Sequence, residues 1–482
     1  MNKDTAAELT SMSLSEAATL IRAREVSPVE LTEACLNRIE AWEPTINAFI
    51  TVTAEQALDT AKAHERAIAA GEWLGPLHGV PIGLKDNIDT AGVRTTAGSK
   101  ILADNIPEHD ATVVARLREA GAIVLGKLNM HEFAWGGTTA NPHYGPTKNP
   151  WDPTRFPAGS SGGSGAAVAA REVFAALGTD TGGSVRLPAA VNGCVGIRPT
   201  IGRVSNAGVV PLAWSMDTVG PMARTVPDVA RTLGVIAGYD TLDDSTDLRP
   251  VPDYLLHIED GIRGLRIGVV PNYFFTHLQK PVENAVRSAL DLLTNQGAAI
   301  ELVPIANIEG NISAQLTVES AEPSTFHQTW LAERPEDYGE DVRLLLELGG
   351  MYTATQYLNA QRYRSVLRSE FLDAFRDVDA FICPTLPFVA TRLGETKVVI
   401  EDGAEDEMLS AIMQFTGVPS LTGLPSMSVP CGFSDHGLPI GMQIIGRPFE
   451  EATIFRVGHT YQQATDWHER EPSLPSASPG AA

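Results

Sequence analysis

Beyond Gly79 the chain repeats one pattern, a short apolar run, a helix and another apolar run, and this restricts the possible folds more than any other feature. The stretch G-V-P-I-G-L-K-D-N-I lies between glycines and reads as a buried strand ending at Lys85 to Asn87. A helix is expected over 111–120, Gly121 ends it, and A-I-V-L-G follows as a strand. After Ser160 the small residues from Gly162 to Ala170 predict a second helix, and F-A-A-L-G-T a further strand. Such alternation predicts an α/β architecture in layers, with helices packed on a mixed or parallel sheet.

The flanking segments fit the same plan. Helices are expected over 15–24, 28–41 and 54–70, the second opened by Ser27-Pro28-Val29-Glu30, a capping box with proline at the first helical position. Residues 239–263 are acidic and proline-bearing and read as a surface excursion, because a strand (265–270) and a helix (282–295) resume the pattern directly. Residues 316–376 read as a helical cover over one end of the sheet, 1–12 as a flexible N-terminus and 472–482 as a disordered tail. A formal net charge of −23 makes nucleic acid and anionic membrane poor partners. Four cysteines without a C-x-x-C pair argue against a zinc site or a disulfide framework. Neither a basic-then-apolar leader nor a long apolar run is present, so a cytoplasmic protein is expected.

Two glycine-serine clusters carry the chemistry: P-A-G-S-S-G-G-S-G-A-A at 157–167 and G-T-D-T-G-G-S-V-R-L-P-A-A at 178–190. The second follows a strand and precedes a short helix, so the amides of Thr181, Gly182, Gly183 and Ser184 can converge on one point. A serine at the end of such a nest has an oxyanion hole beside its own hydroxyl, although flexible loops also produce Gly-Gly-Ser. The hydroxyl needs a base, and no histidine stands in a catalytic signature. Lys85 is the candidate. Its ordinary pKa of about 10.4 must fall by about 3 units, which desolvation at the end of a buried strand can supply. The plainer alternative is a surface lysine, or one paired with Asp86.

Taken together, Lys85 in G-L-K-D-N, Ser160 in A-G-S-S-G-G-S-G and Ser184 in D-T-G-G-S-V-R resemble the amidase signature family in order, flanks and spacing. The resemblance extends to G-K-L-N-M-H-E-F-A, T-K-N-P-W-D, S-M-D-T-V-G-P-M-A-R-T-V and the two blocks within 423–448. It implies one catalytic domain over 13–471, a layered α/β/α domain with a central mixed sheet, and a metal- and cofactor-free amidase. By that comparison Ser184 is the nucleophile, Ser160 the bridging serine in a cis backbone and Lys85 the base. Thr181, Gly182, Gly183 and Ser184 form the oxyanion hole. Asp180, Arg186 and Ser161 support the loops, and Ala134 and Gly159 lie against the substrate. Trp135 and Trp214 are candidate pocket residues, weighed against ordinary core aromatics. Ala158 stands where many relatives have glycine and is expected to take an ordinary backbone angle.

Other readings remain. Gly159-x-Ser161-x-Gly163 fits a nucleophile elbow with Ser161 attacking, but P-T-R-F-P-A before it is a poor strand. Gly121 to Lys127 imitates a phosphate loop with an apolar middle, and Leu128 replaces the Ser or Thr. The expected activity is hydrolysis of a small amide, aryl amide, ester or carbamate by a free-standing enzyme. The alternative is the glutaminase subunit of a tRNA-dependent amidotransferase, whose glutamine-binding acid aligns with Met413. A non-enzymatic amidase-like binding module is the remaining class. Substrate identity and oligomeric state are not legible in the sequence, a homodimer being unsurprising.

Overall fold

In the computed structural model, which describes residues 3–400, 403 and 405–473, the strand expectations converge on one sheet. Its strands in chain order are β1 (Phe49–Val52), β2 (Pro81–Lys85), β3 (Ile123–Leu128), β4 (Ala175–Asp180), β5 (Val195–Arg198), β6 (Thr218–Ala223), β7 (Arg266–Val269), β8 (Ala299–Leu302) and β9 (Ala380–Pro384). Two short strands, β10 (Lys397–Val399) and β11 (Glu405–Glu407), make a separate hairpin, and β12 (Ser426–Phe433) and β13 (Pro439–Gly446) return to the main sheet. The main sheet runs β1-β3-β2-β4-β6-β5-β12-β13-β9-β7-β8. It is mixed: β2 pairs parallel with β3 and β4, whereas β4 pairs antiparallel with β6. Helices cover it, giving a single α/β/α domain. β2, β4, β5 and β6 are buried along their whole length, which explains why they read as continuous apolar or small-residue runs rather than alternating ones.

The capping box at Ser27 forms as read: Val29 N donates to Ser27 Oγ at 3.0 Å and Ser27 N to Glu30 Oε2 at 3.2 Å. That helix runs on to Ile46, past the expected end near residue 41, and carries Pro44 inside it. Asn47 in the left-handed region ends it, and the Glu43 carboxylate beyond its last turn accepts from Ala48 N and Phe49 N. Within the N-terminal segment expected to be flexible, Lys3–Ser11 is a helix. Arg224 fixes its end by donating to the carbonyls of Thr10 and Met12. Of the expected tail at 472–482, only 472 and 473 fall among the described residues.

The acidic stretch at 239–263 is a surface excursion, yet Asp240 pins it by accepting from Thr112 Oγ1 and Ser205 Oγ, each at 2.6 Å. The stretch expected to be a helical cover contains helices Asn311–Phe326, Gln328–Glu333, Glu340–Gly349 and Ala354–Ala374. Among the described residues no helix is long and apolar enough to cross a membrane. All four cysteines are buried and free.

Candidate active site

Three chain segments meet at the slot that Glu319 of helix Asn311–Phe326 also lines. β2 delivers Lys85 at its last residue, and β4, its parallel neighbour, ends at Asp180 just before the loop 181–185. The loop 157–161 leads into helix Gly162–Ala169, which Gly163 and Gly165 allow to pack at backbone distance. Lys85 is wholly buried, and its Nζ lies 2.7 Å from Ser160 Oγ and 2.8 Å from Thr179 Oγ1. Desolvation lowers its pKa to about 7, against the opposing pull of Asp217 and Asp180. Asp86, the alternative partner, turns away: its carboxylate accepts from Thr96 N at 2.9 Å and faces Lys127 Nζ at 3.9 Å. Lys127 thus belongs to a buried ion pair, with Thr95 Oγ1 accepting from it at 2.8 Å, which removes the imitation phosphate loop.

The loop after β4 is held from both sides. Burial alone would raise the Asp180 carboxyl, but the guanidinium of Arg186 and then that of Arg198 hold it well below the usual carboxylate range. Arg186 makes a two-point contact, Nε to Oδ2 at 3.0 Å and Nη2 to Oδ1 at 2.8 Å, and reaches Thr416 O and Ser420 Oγ beyond. Thr181 Oγ1 donates to Asp217 Oδ1 at 2.5 Å, and Thr416 Oγ1 donates to Gly182 O at 2.7 Å. Gly183 has φ +137°, and a β-carbon there would fall 2.4 Å from Thr416 Oγ1, so both angle and space require glycine. Among the described residues the N–H groups of Gly182, Gly183 and Ser184 donate to no protein acceptor, which leaves them for a ligand.

Ser184 opens onto a narrow slot of about 20 Å³, lined also by Ala134, Gly159, Gly182, Glu319 and Met413. Trp135, Gly136, Gly137 and Leu409 form a wall that this slot shares with an apolar cavity of about 470 Å³. Ser161 is excluded from the slot, since its Oγ donates to Thr179 O at 3.2 Å within the core, and the segment before it makes only an isolated bridge, Arg155 with Arg392. This removes the elbow reading. Trp135 is a lining residue and Trp214 is not: it is 50% exposed and outside both spaces. Ala158 also corrects the expectation. It sits at φ +56°, in the left-handed region, where Thr139 Oγ1 donates to its carbonyl at 2.8 Å. The peptide between Gly159 and Ser160 is cis.

Sequence reasoning missed Thr179, Asp217 and Glu319. Thr179 and Asp217 lie inside the quoted motifs, and alternation along β4 places Thr179 on one face with its neighbours two apart. Glu319 lies in the helical cover and left no signal. Among the described residues no group of three or more His, Cys, Asp or Glu is arranged to hold a metal ion.

A lysine of lowered basicity against a serine, with a second serine beside free amides, defines a hydrolase of the Ser/Lys type. The chain belongs to the amidase signature family, whose members act on carbon–nitrogen bonds: the family model described as Amidase matches residues 30–455. It is 44% identical over 467 residues to an amidase of Pseudomonas putida, covering 97% of this chain and 98% of that one. It is 43% identical over 492 residues to a subunit of the glutamyl-tRNA(Gln) amidotransferase of Moorella thermoacetica, covering 97% and 99%. Among solved structures, a bacterial aryl acylamidase matches with a TM-score of 0.88 at 28% identity, covering 96% of this chain and 99% of that one. The corresponding glutamyl-tRNA(Gln) amidotransferase subunit of Thermotoga maritima matches with 0.82 at 34%, covering 97% and 99%.

Proposed function

We propose that the chain hydrolyses the amide bond of a small uncharged substrate through an acyl-enzyme on Ser184. Neutral Lys85 takes the proton of Ser160, which takes that of Ser184 as this oxygen attacks the carbonyl. The amides of Thr181, Gly182, Gly183 and Ser184 receive the oxyanion. The same relay returns the proton to the departing nitrogen, which a poor leaving group requires, and water then repeats the attack. Asp180, Arg186 and Ser161 keep the loops in register, and Ala134 and Gly159 contact the substrate through their backbones.

One observation carries the substrate class. Among the described residues lining the slot none is cationic, and Leu187, Leu212, Leu409 and Met413 surround the serine. The adjoining cavity suits an aryl or alkyl group. Carbamates and esters share the tetrahedral chemistry and belong to the same test panel.

The second reading is the glutaminase subunit of a tRNA-dependent amidotransferase, and sequence likeness taken alone favours it: most of the curated relatives compared carry that name, at 40–44% identity over nearly the full length. Glutamine would bring a carboxylate and an ammonium past a slot lined by no cation, where Met413 is no partner for the ammonium; in the adjoining cavity Arg392 could meet the carboxylate, but it shares that lining with Asp341, Glu395 and Glu407. The purified chain is expected to hydrolyse simple aryl amides without added subunits and to release little ammonia from glutamine. The reverse result establishes the second reading. Sedimentation of the same preparation tests the homodimer.

A further inference from the structure

Helix Asn311–Phe326 brings one more ionisable group to the slot. Glu319 is 1% exposed, lines the cavity with Ser184, Gly182 and Met413, and has both carboxyl oxygens 3.1 Å from a single donor, Gln315 Nε2. A β-carbon built on Gly182 would fall 2.6 Å from Glu319 Oε1, so the carboxyl stands against the backbone of the amide nest. Gln315 Oε1 is buried and unpartnered, and Gln315 Nε2 also touches Met413 Sδ at 3.3 Å. Two polar side chains are thus held at the slot with part of their hydrogen-bonding capacity unused among the described residues.

The groups facing Glu319 set its charge. Burial dominates and raises its pKa to about 8; the Gln315 hydrogen bond opposes this, Asp217 and Asp180 at the sheet end reinforce it, and Arg198 of β5 opposes it. From helix Ala354–Ala374, Tyr357 and Arg364 face Glu322 one turn further along instead. Near neutral pH the carboxyl therefore carries its proton and offers one donor to a ligand. Ionised, it would set a negative charge beside the amides that receive an oxyanion, in a site with little water to screen the repulsion.

We propose that Glu319 is the specificity-determining residue of this slot: as the neutral acid it donates a hydrogen bond to a heteroatom of an uncharged amide or carbamate held against Gly182, and as the carboxylate it opposes the oxyanion and stops turnover. The inference rests on the amide-cleaving role proposed above. It excludes a substrate ammonium at this position, which would require the ionised form.

The test compares kcat/KM for 4-nitroacetanilide from about pH 6 to about pH 10 in wild type, Glu319→Gln and Gln315→Leu, with melting temperatures for all three. Wild type is expected to rise and then fall. Glu319→Gln is expected to keep the rise and lose the fall, so that near pH 10 it retains on the order of tenfold more of its neutral-pH activity than wild type does. Gln315→Leu, which removes the one donor to the carboxyl, is expected to move the fall to higher pH. A fall at the same pH in all three overturns the proposal, and so does a Glu319→Gln variant that keeps aryl-amide hydrolysis unchanged but loses glutaminase activity. Labelling of Ser184 by a fluorophosphonate separates the two levels, because phosphonylation also builds negative charge on an oxygen in the nest. Bell-shaped labelling without hydrolysis of any neutral amide sinks the amide reading and leaves the role of Glu319; hydrolysis with flat labelling above neutral pH sinks the role of Glu319 alone. Should Glu319→Gln fail to fold, the wild-type labelling profile and the Gln315→Leu shift decide.

Discussion

Lys85 Nζ and Ser160 Oγ are 2.7 Å apart, both wholly buried, and no carboxylate lies within salt-bridge distance of the amine among the described residues. The carboxylate next to Lys85 in sequence, Asp86, is engaged by Lys127 instead. An ammonium in that position would be desolvated with hydroxyl and carbonyl dipoles as its only close company, so the neutral amine is favoured there. A neutral amine accepts a proton from a hydroxyl, and this is the physical basis for reading the pair as a base and its relay.

The pH dependence follows from that relationship. With a folded-state pKa of about 7, Lys85 is protonated and inactive in acid and neutral above it. The kcat/KM of an uncharged amide is therefore expected to rise tenfold per pH unit below about 7 in wild type and in Glu319→Gln alike, and to level off above it in Glu319→Gln, where the limb is isolated from the fall that Glu319 imposes. A limb centred near the ordinary lysine value of about 10.4 would remove Lys85 as the base.

Replacing the amine separates its two effects. Lys85→Met fills similar volume without a charge to bury, and kcat/KM is expected to fall about 10²- to 10⁴-fold. Stability moves the other way. The folded pKa lies below the unfolded one, so the unfolded chain binds more protons between about 7 and about 10.4, and this group makes the protein gain stability as pH rises through that window. Below the window the full penalty of burying the charge is felt, so Lys85→Met is expected to melt higher than wild type at about pH 6, with the gap closing as pH rises. Paired thermal melts at the two ends of the window check the sign.

Asp180 offers the opposite case. It is a buried carboxylate between two buried guanidiniums, Arg186 and Arg198, and it also accepts from Val185 N at 3.1 Å. Asp180→Asn keeps the shape and removes the compensating charge, leaving two buried cations facing each other. A loss of about 3 to 5 kcal/mol is expected by urea unfolding, with activity lost in the same variant because Arg186 positions the loop that ends at Ser184. A change below about 1 kcal/mol would mean that the loop does not depend on this network.

The backbone plan was legible because β2 and β4 are buried along their whole length, with Gly79 shortly before β2 and Gly182 shortly after β4, so apolar runs announced them without alternation. The candidate site positions were picked out through motif order alone; physics could assign a role to neither Lys85 nor Ser184 until burial was known. What stayed hidden depended on partners distant in sequence. Trp214 and Trp135 are indistinguishable as letters, but only Trp135 lies on a segment that folds against Ser184. Ala158 takes a left-handed angle because Thr139 holds its carbonyl from 19 residues away, and Glu319 reaches the slot from a helix that no motif marks.

Gly183 gives the sharpest test of the amide nest. At φ +137° a side chain is strained whatever the space, and here a methyl group would also meet Thr416 Oγ1 at 2.4 Å, the hydroxyl that fixes the Gly182 carbonyl. Gly183→Ala must therefore turn the loop, push Thr416 aside, or both, and either movement misdirects the amides of Gly183 and Ser184. Loss of one oxyanion donor lowers kcat by about 10²- to 10³-fold, and two amides are affected, so a loss at or beyond the upper end is expected. Most of the slot wall, from Ala134 to Gly137 and at Leu212, Glu319, Leu409 and Met413, lies on other segments, so KM is expected to change less than kcat. If Gly183→Ala instead raises KM at unchanged kcat, the amides serve ground-state binding and the oxyanion must be stabilised elsewhere.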